Sequence, residues 1–429
     1  MRTCLILASE FPPKNTAGVH RTLRFCQFLP RFGWTPRVLT MDVEEPGGDK
    51  LMSKISGDLE VIRVGPSLKS SKNAVAVTTS GKPVHNRLSR IKALLRPLSQ
   101  LITETPDRNV GWSRLAEKRG RELLSRQPVD ALYSSGPPHS VHLAARRLAL
   151  AFKIPWVADF RDPWARRPWS TTQNPWGRKF IPMLERQVVE TASAVILNTP
   201  TSCADFSAAY PKLAHKFHCI PNGLDADLLA SVREISATAR SENNVPILCH
   251  PGGLYGHRDP SNTLKAIAAL NAQGVSIKFQ QIGAIAEHFQ PQKLADELGI
   301  SQLFEAIPSL SHRDTLQAMH HADMLLIIQP DAPLMVPSKV YEMLAFDRPV
   351  VAVCDSPCTE TVVKEAGGFA APSRDVPAIV CCLREAWQCR SDTNRSQQRE
   401  TARAKYDGCA LTKTLADLLT AVTDQAEQR

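Results

Sequence analysis

The feature that most constrains this chain is an alternation, made twice, of short aliphatic runs with longer segments of helical period. In the first pass the runs are Thr3–Ala8, Pro36–Thr40, Leu59–Val64, Ala131–Ser134, Trp156–Asp159 and Ala194–Asn198. Between them the spacing turns helical, as from Gly18 to Phe32, where Leu23, Cys26, Phe28 and Leu29 fall near one face. Short runs that are apolar throughout read as strands covered on both sides. Strands separated by helices imply a parallel sheet. Cys219-Ile-Pro-Asn-Gly, ending at Gly223, is turn chemistry and marks a boundary. The alternation then restarts at Ile247–His250 and continues through Ile277–Ile282, Met324–Ile328 and Val350–Val353. At 429 residues, two cores are expected rather than one. The predicted fold class is therefore α/β, with two doubly wound Rossmann-like domains.

Composition excludes several alternatives. No apolar run approaches the ~18–20 residues that a membrane-spanning helix needs. The opening MRTCLILASEF is interrupted too soon for a secretory leader and reads as a first strand. The 11 cysteines are scattered without zinc spacing, and read as reduced thiols of a cytoplasmic protein. Charge is uneven: residues 1–222 carry +16 and the remainder −6. A basic half attracts phosphate-bearing partners, such as an anionic membrane surface, or it serves solubility alone. No basic stripe is interleaved with aromatics, so nucleic acid is not an expected partner. In His85–Glu104, Leu88, Ile91, Leu94 and Leu98 oppose Arg87, Arg90, Lys92 and Arg96. That pattern suits a helix docked on anionic lipid, and equally a core-packed helix with a solvated basic face.

The most specific chemistry lies in PSKVYEMLAFDRPVVA, Pro337 to Ala352. A loop ends in Ser338 and Lys339, and a helical run carries Glu342. Backbone N–H groups at a helix start favour an anion, and Lys339 adds a point charge. Glu342 can accept hydrogen bonds from two sugar hydroxyls. A nucleoside diphosphate presents both features together. An ordinary αβ unit with a solvated Lys and Glu reads the same way in isolation.

This segment resembles the donor-binding helix of the GT-B glycosyltransferases of family 4, which are retaining enzymes. The resemblance extends over nearly the whole chain. It implies two domains facing across a cleft: residues 1–222 on the acceptor side, 223–400 on the nucleotide-sugar side, and a C-terminal helix within 401–429 packing back on the first domain. It implies Ser338, Lys339 and Glu342 on the donor, with the sugar nucleotide a co-substrate rather than a cofactor.

Further segments extend it. Ser9–Arg21 resembles the family's first loop, where Gly18 would let the backbone approach the donor, with His20 and Arg21 near the acceptor or a phosphate. HPGGLYGHRDP, His250 to Pro260, resembles the diphosphate loop, with Gly252, Gly253 and Arg258 at the donor and Gly283 after the next strand. The family's usual Arg falls on Gly253 and its Lys on Arg258, so one cation is lost and one exchanged. The family's acceptor-side His falls on Ser135; His139, four residues on, can substitute as a base or simply pack a helix start. In ADFRDPW, Asp159, Arg161 and Asp162 suit acceptor hydroxyls, or else form a self-satisfied pair. His139, Asp162, Arg258 and Lys339 are the catalytic candidates; Asp159, Arg161, His20 and Arg21 are the acceptor candidates.

One departure bears on activity. The family's second carboxylate, eight residues before Glu342, is Leu334 here. No metal site is evident, since Asp225-Ala-Asp227 reads as helix-start acid rather than a metal pair. The resemblance implies sugar transfer from a nucleotide-diphosphate donor to a glycan or lipid-linked saccharide. Two alternatives remain: a sugar-nucleotide epimerase of the same fold, and a binding subunit without catalysis.

Overall fold

The computed structural model describes residues 1–14, 16–44, 59–69, 105–166, 175–236, 245–389 and 394–428. The basic stretch His85–Glu104 lies outside these residues. The chain forms two compact units. One comprises Met1–Asn198, Ser202–Ile220 and Leu411–Arg429; the other comprises Thr199–Thr201 and Pro221–Ala410.

The first unit is built on a seven-stranded sheet in the order β3-β2-β1-β4-β5-β6-β7. Its strands are β1 (Arg2–Ala8), β2 (Trp34–Glu44), β3 (Glu60–Lys69), β4 (Ala131–Gly136), β5 (Trp156–Phe160), β6 (Ala194–Leu197) and β7 (Phe217–Cys219). All adjacent pairs are parallel. Successive side chains of a strand point to opposite faces, and the two cores follow that period. Leu5 and Leu7 join Leu132, Ala158 and Val195 on one face, under the helices Val110–Arg126 and Ser140–Phe152. Cys4 and Ile6 join Tyr133, Val157 and Ile196 on the other. That second face is covered by Leu23 and Phe25 of the helix Ala17–Phe28, and by Leu411, Leu415, Leu419 and Val422 of the last helix, Gly408–Glu427.

The second unit has a six-stranded sheet in the order β10-β9-β8-β11-β12-β13. Its strands are β8 (Ile247–Pro251), β9 (Lys278–Ile282), β10 (Phe304–Ile307), β11 (Met324–Gln329), β12 (Val350–Cys354) and β13 (Phe369–Ala371). These pairs are also all parallel. Both units are thus doubly wound α/β domains, as the two-fold alternation predicts.

Three local differences have physical causes. The helix expected over 18–32 ends at Phe28, and Leu29–Phe32 tightens into a 3₁₀ turn. Pro30 has no N–H to continue the ladder, and Gly33, at φ +81°, ends the turn in the left-handed region. The strand expected over Leu59–Val64 continues through Lys69, with Gly65 at φ +111° along the way. β10 and β13 are four and three residues long, too short to show a period.

Leu415 is fully buried against the first sheet. Leu415→Ala should therefore destabilise the first unit by about 2–5 kcal/mol through lost burial and a residual cavity. Urea unfolding measures it, and a loss within experimental error would detach the last helix from this core.

Candidate active site

In a doubly wound sheet, ligands bind beyond the carboxyl ends of the strands where the strand order reverses. In the second unit that point lies between β8 and β11, adjacent parallel strands at the middle of the sheet. The loop after β8 carries Gly252, Gly253 and Arg258; the loop after β11 leads to Ser338, Lys339 and Glu342. Gly283 follows β9, the other neighbour of β8.

The three glycines meet. Gly283 sits at φ +125°, and a methyl group on it would fall 3.0 Å from the Gly252 carbonyl carbon and 3.2 Å from the Gly253 nitrogen. Both features demand glycine. Gly252 N–H donates to the Ile282 carbonyl at 2.9 Å, and Gln281 Nε2 donates to the Gly252 carbonyl at 2.5 Å. His250 lies beneath. Its Nδ1 is 2.9 Å from the Leu326 carbonyl, which can only accept, so Nδ1 carries the proton. Burial, opposed by the bond to Leu326 and aided by the positive charge of Arg258, lowers His250 to about 4. Arg258 itself stacks its guanidinium 4.5 Å from the ring centre of Tyr255, a largely exposed aromatic. The cation is thereby steered while remaining able to donate to an anion.

The loop after β11 is held from below. Buried Gln329 donates to the carbonyls of Met335 at 2.7 Å and Ala332 at 3.2 Å. Its own carbonyl accepts from Thr359 at 2.5 Å, and Ser356 donates to Met335 at 3.0 Å. The helix Ser338–Met343 starts from that braced loop. Lys339 Nζ lies 2.5 Å from Glu342 Oε2, with both side chains about a third exposed. The cation and the carboxylate predicted to share a donor are therefore in contact with each other, one helical turn apart. Leu334 is half-buried in the same loop.

In the first unit the order reverses between β1 and β4. Gly18 is buried there against an ion pair. A methyl group would fall 1.8 Å from Arg161 Nη1 and 2.1 Å from Glu10 Oε2. Arg161 Nη2 reaches Glu10 at 3.2 Å and the Pro137 carbonyl at 3.0 Å. The loops after β1, β4 and β5 are thus tied together across Gly18.

Arg21 and Asp159, expected near the acceptor, are paired with each other. Arg21 Nε and Nη2 donate to the two oxygens of Asp159 at 2.7 and 3.0 Å, and Nη2 also donates to the Ile220 carbonyl at 2.9 Å. Tyr133 and Ser135 hydroxyls donate to the same carboxylate. Both charged side chains are essentially without exposure. Burial works to lower the Arg21 guanidinium, but the Asp159 charge more than reverses this and raises it. A pair so enclosed has no edge to offer an acceptor. Ser135, where the family's His would fall, is part of this network.

His139 is likewise enclosed, at 5 % exposure, stacked on Trp164 at 5.1 Å between ring centres. Its neighbour His142 stacks on Phe160 at 4.7 Å, and its Nδ1 lies 2.8 Å from Ser134 Oγ, which accepts from Trp156 Nε1 at 2.9 Å. Asp162 and His20 are half-buried. Sequence reading missed His142, Ser134 and Gln329. None carries a sequence signal of its role until the fold supplies the partner. Among the described residues no group of three or more His, Cys, Asp or Glu is placed to hold a metal ion.

Burial lowers His142 from 6.5 to about 3. The folded chain then resists a proton that the unfolded chain accepts, so this contribution is complete above pH 6.5 and is lost as pH falls from 6.5 toward 3. His250 acts in the same direction toward about 4. His142→Phe should flatten the decline of stability below pH 6.5. Urea midpoints at pH 7 and pH 5 measure it, and equal slopes in both proteins would refute the assignment.

The Glycosyl transferase 4-like domain description matches residues 17–223, and the Glycosyl transferases group 1 description matches residues 231–405. No curated protein matches the chain by sequence. Solved structures match in fold. A glycosyltransferase from Rickettsia africae superposes with a TM-score of 0.64 at 12 % identity, over 98 % of each chain. HepE of Anabaena, in complex with UDP and glucose, gives 0.61 at 14 % identity, over 98 % of this chain and 100 % of its own. WaaG, a glycosyltransferase involved in lipopolysaccharide biosynthesis, gives 0.56 at 16 % identity, over 97 % and 99 %. The two descriptions tile nearly the whole sequence, one on each doubly wound unit, and the chain belongs to the family 4 glycosyltransferases of GT-B fold.

Proposed function

We propose that this glycosyltransferase is retaining and moves a sugar from a nucleotide-diphosphate donor to a hydroxyl of a glycan or lipid-linked saccharide. The observation that carries the reading is the placement of Arg258, Lys339 and Glu342 on loops after β8 and β11, the two strands at the reversal of the second sheet. Arg258 and Lys339 take the diphosphate and stabilise the charge that develops as it leaves. Glu342 takes the ribose hydroxyls. Gly252, Gly253 and Gly283 keep side chains away from the phosphates, and Gly283 N–H is committed to the Ile307 carbonyl at 2.9 Å, which fixes the rim. HepE was solved with UDP and glucose, so UDP-glucose is the first donor to test on this chain.

Retention by front-face attack needs no protein nucleophile. Cys249, beside His250, fits that reading, because burial pushes its thiol up to about 12 and keeps it protonated. On the acceptor side the reading keeps Asp162 and Arg161, both half-buried, and assigns His139, Arg21 and Asp159 to shaping the loops. Transfer is favoured over epimerisation because the motif residues serve a leaving diphosphate and both family descriptions are of transferases.

Titration calorimetry with UDP-, GDP- and ADP-glucose tests the donor site. One nucleotide sugar should bind, and Lys339→Ala and Arg258→Ala should each weaken it roughly 10- to 100-fold, the worth of a charge-assisted hydrogen bond. An unchanged dissociation constant in either variant removes that residue from the site.

No helix among the described residues is long and apolar enough to cross a membrane. We extend the proposal to a peripheral place on the inner face of an anionic membrane, where lipid-linked acceptors lie, on the strength of the +16 carried by residues 1–222. Sedimentation with vesicles should show more protein on anionic than on neutral lipid; equal sedimentation rejects this extension.

A further inference from the structure

The loop after β8 rests on a histidine with one ring nitrogen unbonded. The ladder between β8 and β11 runs through Leu248 and Cys249 and ends there, while β8 goes on pairing with β9 as far as Pro251. At the next residue, His250, the imidazole bridges to β11 in place of the backbone, through Nδ1 and the Leu326 carbonyl at 2.9 Å. With the proton on Nδ1, Nε2 holds a lone pair. That nitrogen is buried and has no hydrogen-bond partner among the described residues. Gln281, paired with His250 across β9, repeats the pattern: its Nε2 donates to the Gly252 carbonyl, and its buried Oε1 accepts from no described group. Two acceptors without a donor therefore lie against one glycine. Buried acceptors of this kind are costly unless something supplies the hydrogen.

Gly252 also shows where a ligand can approach. A methyl group on it would have only His250 within 4 Å apart from the adjoining residues, with Nε2 at 3.7 Å and Cε1 at 3.9 Å. The missing side chain leaves a recess with the imidazole edge as its floor. Nε2 is buried, so an oxygen bonds it as the Gly252–Gly253 backbone gives slightly, which two adjoining glycines permit. The charged group acting on His250 is Arg258, from the loop after β8. β9 and β11 present Gln281 and a carbonyl, neither of which titrates, and Cys249, the residue before it in β8, points to the opposite face.

The inference drawn from this arrangement rests on the donor site proposed above. A nucleotide diphosphate has oxygens that only accept, so a neutral Nε2 repels them. The cation usual in this loop is lost at Gly253. We propose that His250 takes up a proton from the medium when the nucleotide sugar binds, and that the imidazolium donates through Nε2 to a diphosphate oxygen while Nδ1 keeps its bond to Leu326. One N–H bond forms at Nε2, the buffer acid gives up the proton, and no other covalent bond changes. The two negative charges of the diphosphate outweigh the single charge of Arg258 and favour the imidazolium. His250 then stands in for the cation that Gly253 lacks, and donor affinity rises as pH falls.

Titration calorimetry on the full chain at pH 6 tests it, with whichever of UDP-, GDP- and ADP-glucose binds, in MES and in Bis-Tris buffers, whose ionisation enthalpies differ. None of these ligands carries a group that titrates near pH 6, so a difference in heat between the buffers counts protons taken up by the protein. Uptake should be measurable at pH 6. The dissociation constant should fall as pH is lowered from 8 to 6, by at most about tenfold per unit for one proton. His250→Asn places an amide N–H where Nδ1 was and nothing in the place of Nε2. It should fold, as its melting temperature checks, take up no proton, and bind roughly tenfold more weakly at pH 6. Binding without proton uptake in the unsubstituted chain overturns the inference and leaves the donor site standing, and so does uptake that persists in His250→Asn. Where His250→Asn fails to fold, His250→Gln replaces it, since its amide cannot titrate either. Binding of none of the three ligands overturns the donor reading and this inference together.

Discussion

Parallel pairing is the constraint from which the rest of this structure follows. Within each sheet every described strand runs parallel to its neighbours, so each sheet delivers its strands to one edge of its own. Helices that cross on opposite faces must part somewhere, and they part where the strand order reverses. In the first unit that is the gap between β1 and β4; in the second it is the gap between β8 and β11. The residues with chemistry to offer follow these strands: Glu10 and Gly18 after β1, Arg258 after β8, Lys339 and Glu342 after β11. In the second unit Arg258 is far in sequence from Lys339 and Glu342, and the sheet gives them a common edge.

What the two edges hold is different in kind. The first spends its charges internally. Arg21, Asp159, Tyr133 and Ser135 close into one buried network, and Arg161 with Glu10 closes over Gly18. Removing one partner of such a pair leaves an unpaired buried charge, a loss of about 3–5 kcal/mol, so these residues are fixed by stability whatever else they do. The second keeps its cations near solvent. Arg258 rests on an exposed ring, and Lys339 on a carboxylate about a third exposed. Charges held this lightly can be redirected to a ligand.

The sequence made the two-unit architecture legible because apolar runs of four or more residues, separated by helical spacing, have few other solutions. It brought forward Ser338–Glu342 and the glycines as candidates because each suggests a mechanism: a cation with a carboxylate one turn on, and backbone that no side chain allows. It read Arg21 and Asp159 as acceptor candidates without showing that they pair with each other. A charged residue beside a loop reads as exposed, and only the tertiary fold shows that it faces a partner 138 residues away. Gln329 and His142 were invisible for the complementary reason, since a polar residue that will be buried looks the same in sequence whether it braces a loop or sits by accident. β10 and β13 were lost to length alone.

The contact between Lys339 and Glu342 looks at first like an obstacle to the proposed donor site, because each occupies the other. Magnitudes decide otherwise. A pair that is about a third exposed is worth at most about 1 kcal/mol after solvent screening. A hydrogen bond from a charged donor to phosphate is worth about 1.5–3 kcal/mol, and a carboxylate accepting ribose hydroxyls gains a comparable amount. Exchanging the internal pair for two external ones is therefore downhill. Until a ligand arrives, the pair holds both side chains in rotamers one helical turn apart, which reduces the side-chain entropy that binding must otherwise remove. In this reading the internal ion pair keeps the donor site preorganised, and Gln329, bracing the loop beneath, keeps the pair in place.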